Sequence, residues 1–264
     1  MKGFQELDRV LRGEAARAGQ PGPAVSFLPL LTANVLLAAF YGVCMGVYGV
    51  SGRDEPEFRQ MLADAVKVPL LFLLTLFVTF PSLYVFSALV GSRLGAADLA
   101  RLLTAALGVL LAVLAAFGPI VGFFSVTTTS YPFVVLMNVA VFTLAAVFGL
   151  SYLTRTLDHM LPRPVARPVR PPARADEHIL VAEVEGEPAP PPPPVVPAVT
   201  LPSPAAVRTV VRVWLVAFAL VGAQMSWVLR PFIGSPRAEF TWLRPRQSSF
   251  FEGVAKSVRQ LLTP

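Results

Sequence analysis

Charge, cysteine and histidine are all scarce in this chain, and each shortage removes a class of function. One cysteine, Cys44, in 264 residues leaves no intrachain disulfide and no paired-thiol metal or redox motif. The two histidines, His159 and His178, stand outside any H-E-x-x-H pattern, and no G-x-S-x-G nucleophile motif occurs. Charged residues are only 14% of the chain, against about a quarter in soluble domains. Asp and Glu are expected only in loops and termini, so no carboxylate is placed within the apolar runs as acid or base. An enzyme is therefore not expected. No cofactor or metal is expected either, and His159 beside Asp158 reads as an interfacial polar turn. The net charge of +6 comes without a basic groove or stacking aromatics, which argues against a nucleic-acid partner.

Apolar residues are abundant, at 55% with a mean hydropathy of +0.63. From Leu102 to Thr154, fifty-three consecutive residues carry no charge. One straight helix of that length would measure roughly 80 Å, against a bilayer core of about 30 Å, so the run must cross twice. Further apolar runs at 27–50, 68–90 and 209–233 bring the expected spans to five, with 100–123 and 132–153 forming the central pair. The expected fold is an all-α polytopic membrane bundle with amphipathic helices at both termini. The run beginning at Phe27 is too long for the core of a signal peptide and reads as a retained anchor.

Between and around the spans the sequence changes character. Residues 1–20 place Phe4, Leu7, Leu11 and Ala15 on one helical face with Lys2, Arg9, Arg12 and Arg17 around the rest. This suits either the headgroup plane or a short solvated helix. Gly42 and Gly46 form a small-xxx-small pair for close helix packing, and Gly118 and Gly122 are further packing candidates. Residues 51–67 read as a charged loop. Pro81 is expected to kink the second span and free a carbonyl near residue 77, with Thr75, Thr79 and Ser82 at hand to satisfy it. Residues 155–208 form a proline-rich tether unable to bury a core, although its Pro-x-x-Pro content could dock an aromatic groove. Trp214 and Trp227 suit the two edges of an aromatic belt. The basic segment 234–264 ends in a helix with Ser249 and Glu252 at capping-box spacing. Its Phe250, Phe251, Val254, Val258, Leu261 and Leu262 face points to a membrane interface or another subunit.

Lysine and arginine near the span ends favour a cytoplasmic N-terminus, twelve against nine, with the C-terminus opposite. The alanine, arginine and proline usage points to a bacterial inner membrane.

Binding residues are expected at the end of the fifth span and behind it: Gln224, Trp227, Arg230 and Phe232, then Trp242, Arg244 and Arg246. Arginine suits a lipid phosphate or a partner acid, and the aromatics fix depth. The expected partners are the lipid bilayer and other membrane-protein subunits or further copies of the chain. The corresponding function is that of a non-catalytic scaffold or subunit of a membrane complex. The alternative is a channel or transporter subunit with Asn34, Asn138 and Gln224 lining a polar path.

Residues 65–91 carry Lys67, Pro69, Pro81, Tyr84 and Gly91 in an apolar setting. This stretch resembles the Yip-domain family, whose five-span members have a lysine–proline entry and a proline-kinked span. The resemblance implies five crowded spans, a cytoplasmic N-terminus and association with Rab-type GTPases and vesicle traffic. The long tether and basic tail depart from that pattern. Residues 224–236 also resemble uncharacterised multi-span bacterial proteins, which implies no function.

Overall fold

The computed structural model describes residues 2–14, 25–51, 58–89, 95–160, 204–230, 233, 242–243 and 249–262. Within them the secondary structure is helical throughout: α1 Lys2–Leu11, α2 Phe27–Ser51, α3 Phe58–Leu89, α4 Ala96–Thr127, α5 Tyr131–Met160, α6 Pro204–Val228 and α7 Phe250–Leu262. Five of these, α2 to α6, are long and apolar enough to cross a membrane. The chain is an all-α, multi-pass bundle. The central uncharged run breaks at residues 128–130, where the Ser130 N–H donates to Thr128 Oγ1 at 3.3 Å and Tyr131 starts the return helix.

The helices follow the order α5–α4–α2–α3–α6 in space. Glycine sets the closest approaches. A Cβ on Gly42 would collide with the Asp64 carbonyl, and one on Gly46 would lie 2.6 Å from Met61 Cα, so the expected glycine pair is the seam between α2 and α3. Gly118 faces Phe40 and Cys44 of α2 at 3.2 Å, whereas Gly122 has only ordinary contact at 3.8 Å. Gly149, unremarked in the sequence, brings α5 against Leu110 and Ala106 of α4.

Polar side chains tie these seams inside the apolar interior, where an unmatched donor is costly. Asn34 Nδ2 donates to the Thr104 carbonyl of α4 at 2.9 Å. The Tyr41 hydroxyl donates to Asn138 Oδ1 of α5 at 2.8 Å, and Trp214 Nε1 of α6 donates to the Thr79 carbonyl of α3 at 2.9 Å. Trp214 is thus a buried anchor, 4% exposed, and not the belt residue expected.

Two further expectations change. Helix α3 begins at Phe58, ten residues before the apolar run, and continues through both Pro69 and Pro81. The hydroxyls of Thr75, Thr79 and Ser82 bond the carbonyls of Leu71, Thr75 and Thr79, not that of residue 77. Helix α1 sits on α2 and α4 with Leu7 and Val10 buried, while Phe4 and Leu11 are half exposed. Its anchored face is therefore rotated from the one expected. Gly3 makes this possible by lying directly on the Pro29 carbonyl. Residues 161–203, containing most of the tether, lie outside the described residues.

Candidate functional site

Helices α5 and α6 end the spatial series, and the space between them decides where a site can form. Toward the start of α6 the gap is filled, because Leu83, Leu103, Leu153, Leu157, Val211 and Trp214 pack into one cluster. Toward the end of α6 it opens into a cavity of about 1180 Å³, walled by α3, α5 and α6 and bordered by α7. That volume exceeds the roughly 300–1,000 Å³ of most small-molecule clefts. On α5 the wall runs from Pro132 to Ala146, a rise of about 21 Å at 1.5 Å per residue. The cleft is therefore somewhat deeper than one leaflet of a ~30 Å hydrocarbon core.

The lower wall is mostly apolar, with Phe72, Leu110, Val139, Phe142 and Phe218, relieved by the small Ala219 and Gly222 and carrying Thr75, Asn138 and Thr143 among them. Polarity concentrates at the α7 end, where Ser226, Arg230, Lys256, Ser257 and Gln260 line the cavity. The Arg230 guanidinium stacks over the Trp227 ring at 4.1 Å, a cation–π contact that fixes both groups in the wall. Trp227 Nε1 is buried with no hydrogen-bond partner among the described residues.

Helix α7 owes its place to one glycine. A Cβ on Gly253 would lie 2.6 Å from the Trp227 ring, so only glycine lets the helix rest on the indole. The capping box forms as expected: the Glu252 N–H donates to Ser249 Oγ at 3.3 Å, and the Ser249 N–H to Glu252 Oε2 at 3.4 Å. Helix α7 packs on α5 and α6 of its own chain, with Phe250, Val254 and Ser257 at the cleft. Phe251, Leu261 and Leu262 remain exposed.

Among the expected binding residues, Trp227 and Arg230 come together in this wall. Gln224 points away and is exposed. Trp242 is exposed with Lys67 Nζ 5.8 Å from its ring centroid. Phe232, Arg244 and Arg246 lie outside the described residues. The three residues of the alternative polar path do not converge, because Asn138 alone of them lines the cleft while Asn34 bonds α4.

The sequence reading missed a buried polar group. Asp64, assigned to a loop, is fully buried in α3 against Gly46 of α2, so an acid does lie within a spanning helix. Gln60 Nε2 donates to its Oδ1 at 2.8 Å, while Oδ2 has no partner among the described residues. The signal was available in the spacing, since Gln60, Asp64 and Lys67 fall on one helical face. Among the described residues, no three of His, Cys, Asp and Glu group as metal ligands. No protein-family model matches the chain, and neither curated proteins nor solved structures give a match.

Proposed function

We propose that this chain is a non-catalytic, multi-pass membrane protein that works by binding, as a scaffold or subunit of a membrane complex. The observation that carries the reading is the cleft, whose polar end presents Trp227, at the end of α6, and Arg230, just beyond it, beside the capped helix α7. A wall that is apolar below and cationic above suits recognition, because apolar area supplies affinity and the charge supplies orientation. The positive-inside count supports a cytoplasmic N-terminus, with the cleft's polar end on the opposite side, and the alanine, arginine and proline usage favours a bacterial inner membrane. A role like that of Yip-domain proteins is a narrower form of the same proposal, supported by residues 65–91.

Gentle-detergent recovery of the tagged chain tests the reading. Arg230→Ala should reduce the co-purifying species far more than Arg163→Ala in the tether. Equal recovery from both variants would refute it. A second reading, a channel or transporter subunit, is favoured by the size of the cleft and by Asn138 in its wall. Solute flux in liposomes containing the purified chain supports that second reading, and a scaffold gives none.

A further inference from the structure

We propose that Asp64 is an exchangeable proton-binding site, and that the proton on its Oδ2 clasps the seam between α2 and α3. The site goes beyond the binding role above and shares no residue with the cleft, being built from Gln60, Asp64 and Lys67 of α3 against Gly42 and Gly46 of α2.

Three observations carry it. The first is a buried acid with half its carboxyl unanswered. Asp64 is 0% exposed inside a spanning helix, and Gln60 Nε2 donates to its Oδ1 at 2.8 Å. Oδ2 has no hydrogen-bond partner among the described residues. A carboxylate charge met by so few donors is costly in an apolar interior. One proton removes that charge: an O–H bond forms at Oδ2 as hydronium returns to water, and Oδ1 keeps the Gln60 amide.

The second observation is tightness. Oδ2 lies 3.0 Å from a Cβ built on Gly46, and the Asp64 carbonyl fills the Cβ position of Gly42. This seam has space for a proton and not for a hydrated ion. The third is access. Asp64 stands six residues from the start of α3 and Gly46 five from the end of α2, depths of about 9 Å and about 8 Å. Parting the last turns of the seam therefore brings water to the carboxyl. Lys67, 3% exposed on the same face of α3 with Nζ 5.8 Å from the Trp242 ring centroid, then favours the ionised acid.

Other described titratable groups face elsewhere. On α2, Tyr41 donates to Asn138, Cys44 lies against Gly118 and Tyr48 donates to the Thr129 carbonyl. Arg59 of α3 and Arg212 of α6 are exposed. Asp98 and Arg101 of α4 pair with each other at 3.7 Å, beside the Leu83 end of α3. Closing the seam thus takes up a proton and opening it releases one, so acid favours the closed seam and alkali the open one.

The test follows the full chain in lipid nanodiscs, with carbon-13 on its aspartate carboxyls, by infrared difference spectroscopy. The window is about pH 6 to about pH 10, where ordinary aspartates, of pKa about 4, are already ionised. The expected result is one labelled carboxylic C=O band that gives way to a carboxylate band as pH rises. Asp64→Asn should lack both bands' changes, and Lys67→Gln should hold the carboxylic band to higher pH. Amide exchange across residues 58–67 reads the seam. The ratio of wild type to Asp64→Asn, which cancels base catalysis, should start near one and climb by up to about tenfold per pH unit.

Absence of the carboxylic band at about pH 6 overturns the proposal, as does a band unchanged to about pH 10. The same titrating band in Asp64→Asn, a flat exchange ratio, or an unmoved transition in Lys67→Gln would each overturn it as well. Should Asp64→Asn not fold, the labelled wild-type band and the Lys67→Gln transition decide.

Discussion

Replacing Gly42 by alanine is the sharpest test of how the bundle is held together. In a helix, Gly→Ala ordinarily gains about 0.8–1 kcal/mol from backbone entropy. Here the added methyl meets the Asp64 carbonyl, with the Asp64 carbonyl carbon at 2.7 Å and Ala65 Cα at 2.9 Å. All three are backbone atoms, so no side chain can swing away and α2 must move off α3. Overpacking of that kind costs about 1–3 kcal/mol, and the rigid obstacle puts Gly42 at the upper end. The separation also loosens the seat of Asp64, whose Oδ2 lies 3.0 Å from a Cβ built on Gly46. The net expectation is a loss of about 2 kcal/mol. Gly122 provides the control, because its new methyl would find nothing nearer than 3.8 Å. Gly122→Ala should be neutral, or more stable by about 0.5 kcal/mol. Reversible unfolding of the purified protein in mixed micelles, followed by helical circular dichroism, measures both. Two variants of equal stability would refute the backbone-contact argument.

Other changes test the polar ties and the α7 seat. Trp214→Phe removes the donor to the Thr79 carbonyl and should cost about 0.6–2 kcal/mol in the same unfolding assay, the range for interhelical bonds in membranes. Tyr41→Phe leaves Asn138 Oδ1 without its donor and should cost about 1–3 kcal/mol. Asp64→Ala removes the acceptor of the buried Gln60 amide, and a loss of about 1–3 kcal/mol is expected, whereas a gain would show the carboxylate to be a net burden. Gly253→Leu should displace α7 from Trp227, read as faster amide exchange across residues 250–262 with unchanged exchange in α2 and α4.

The spans were legible because a bilayer imposes a length on apolar runs that few sequences meet by accident. Gly42 and Gly46 were legible for a similar reason, since their spacing puts both on one helix face. What escaped was decided by neighbours distant in sequence. The charged stretch 51–67 looks like a loop until Gly42 and Gly46 of α2 provide a surface on which Asp64 can be buried. Trp214 has the spacing of a belt residue, but an available Thr79 carbonyl across the α3–α6 seam turns it inward. In α1, Gly3 against Pro29 rotates the helix so that Val10, not Leu11, is buried. Trp227 and Arg230 were anticipated as binding residues from composition alone. The cleft they line was not, because it arises where α5 and α6 diverge, and a gap between two helices leaves no pattern in either one.

Photo-crosslinking from inside the cleft tests the central claim most directly. A photoreactive phenylalanine analogue at Phe142, in the wall, is compared with one at Phe77, which is 78% exposed on the outer face. After irradiation in native membranes, the mass of each adduct is read by mass spectrometry. A binding cleft predicts one dominant adduct of defined mass from position 142 and a mixture reflecting bulk lipid from position 77. The same mixture from both positions would contradict it.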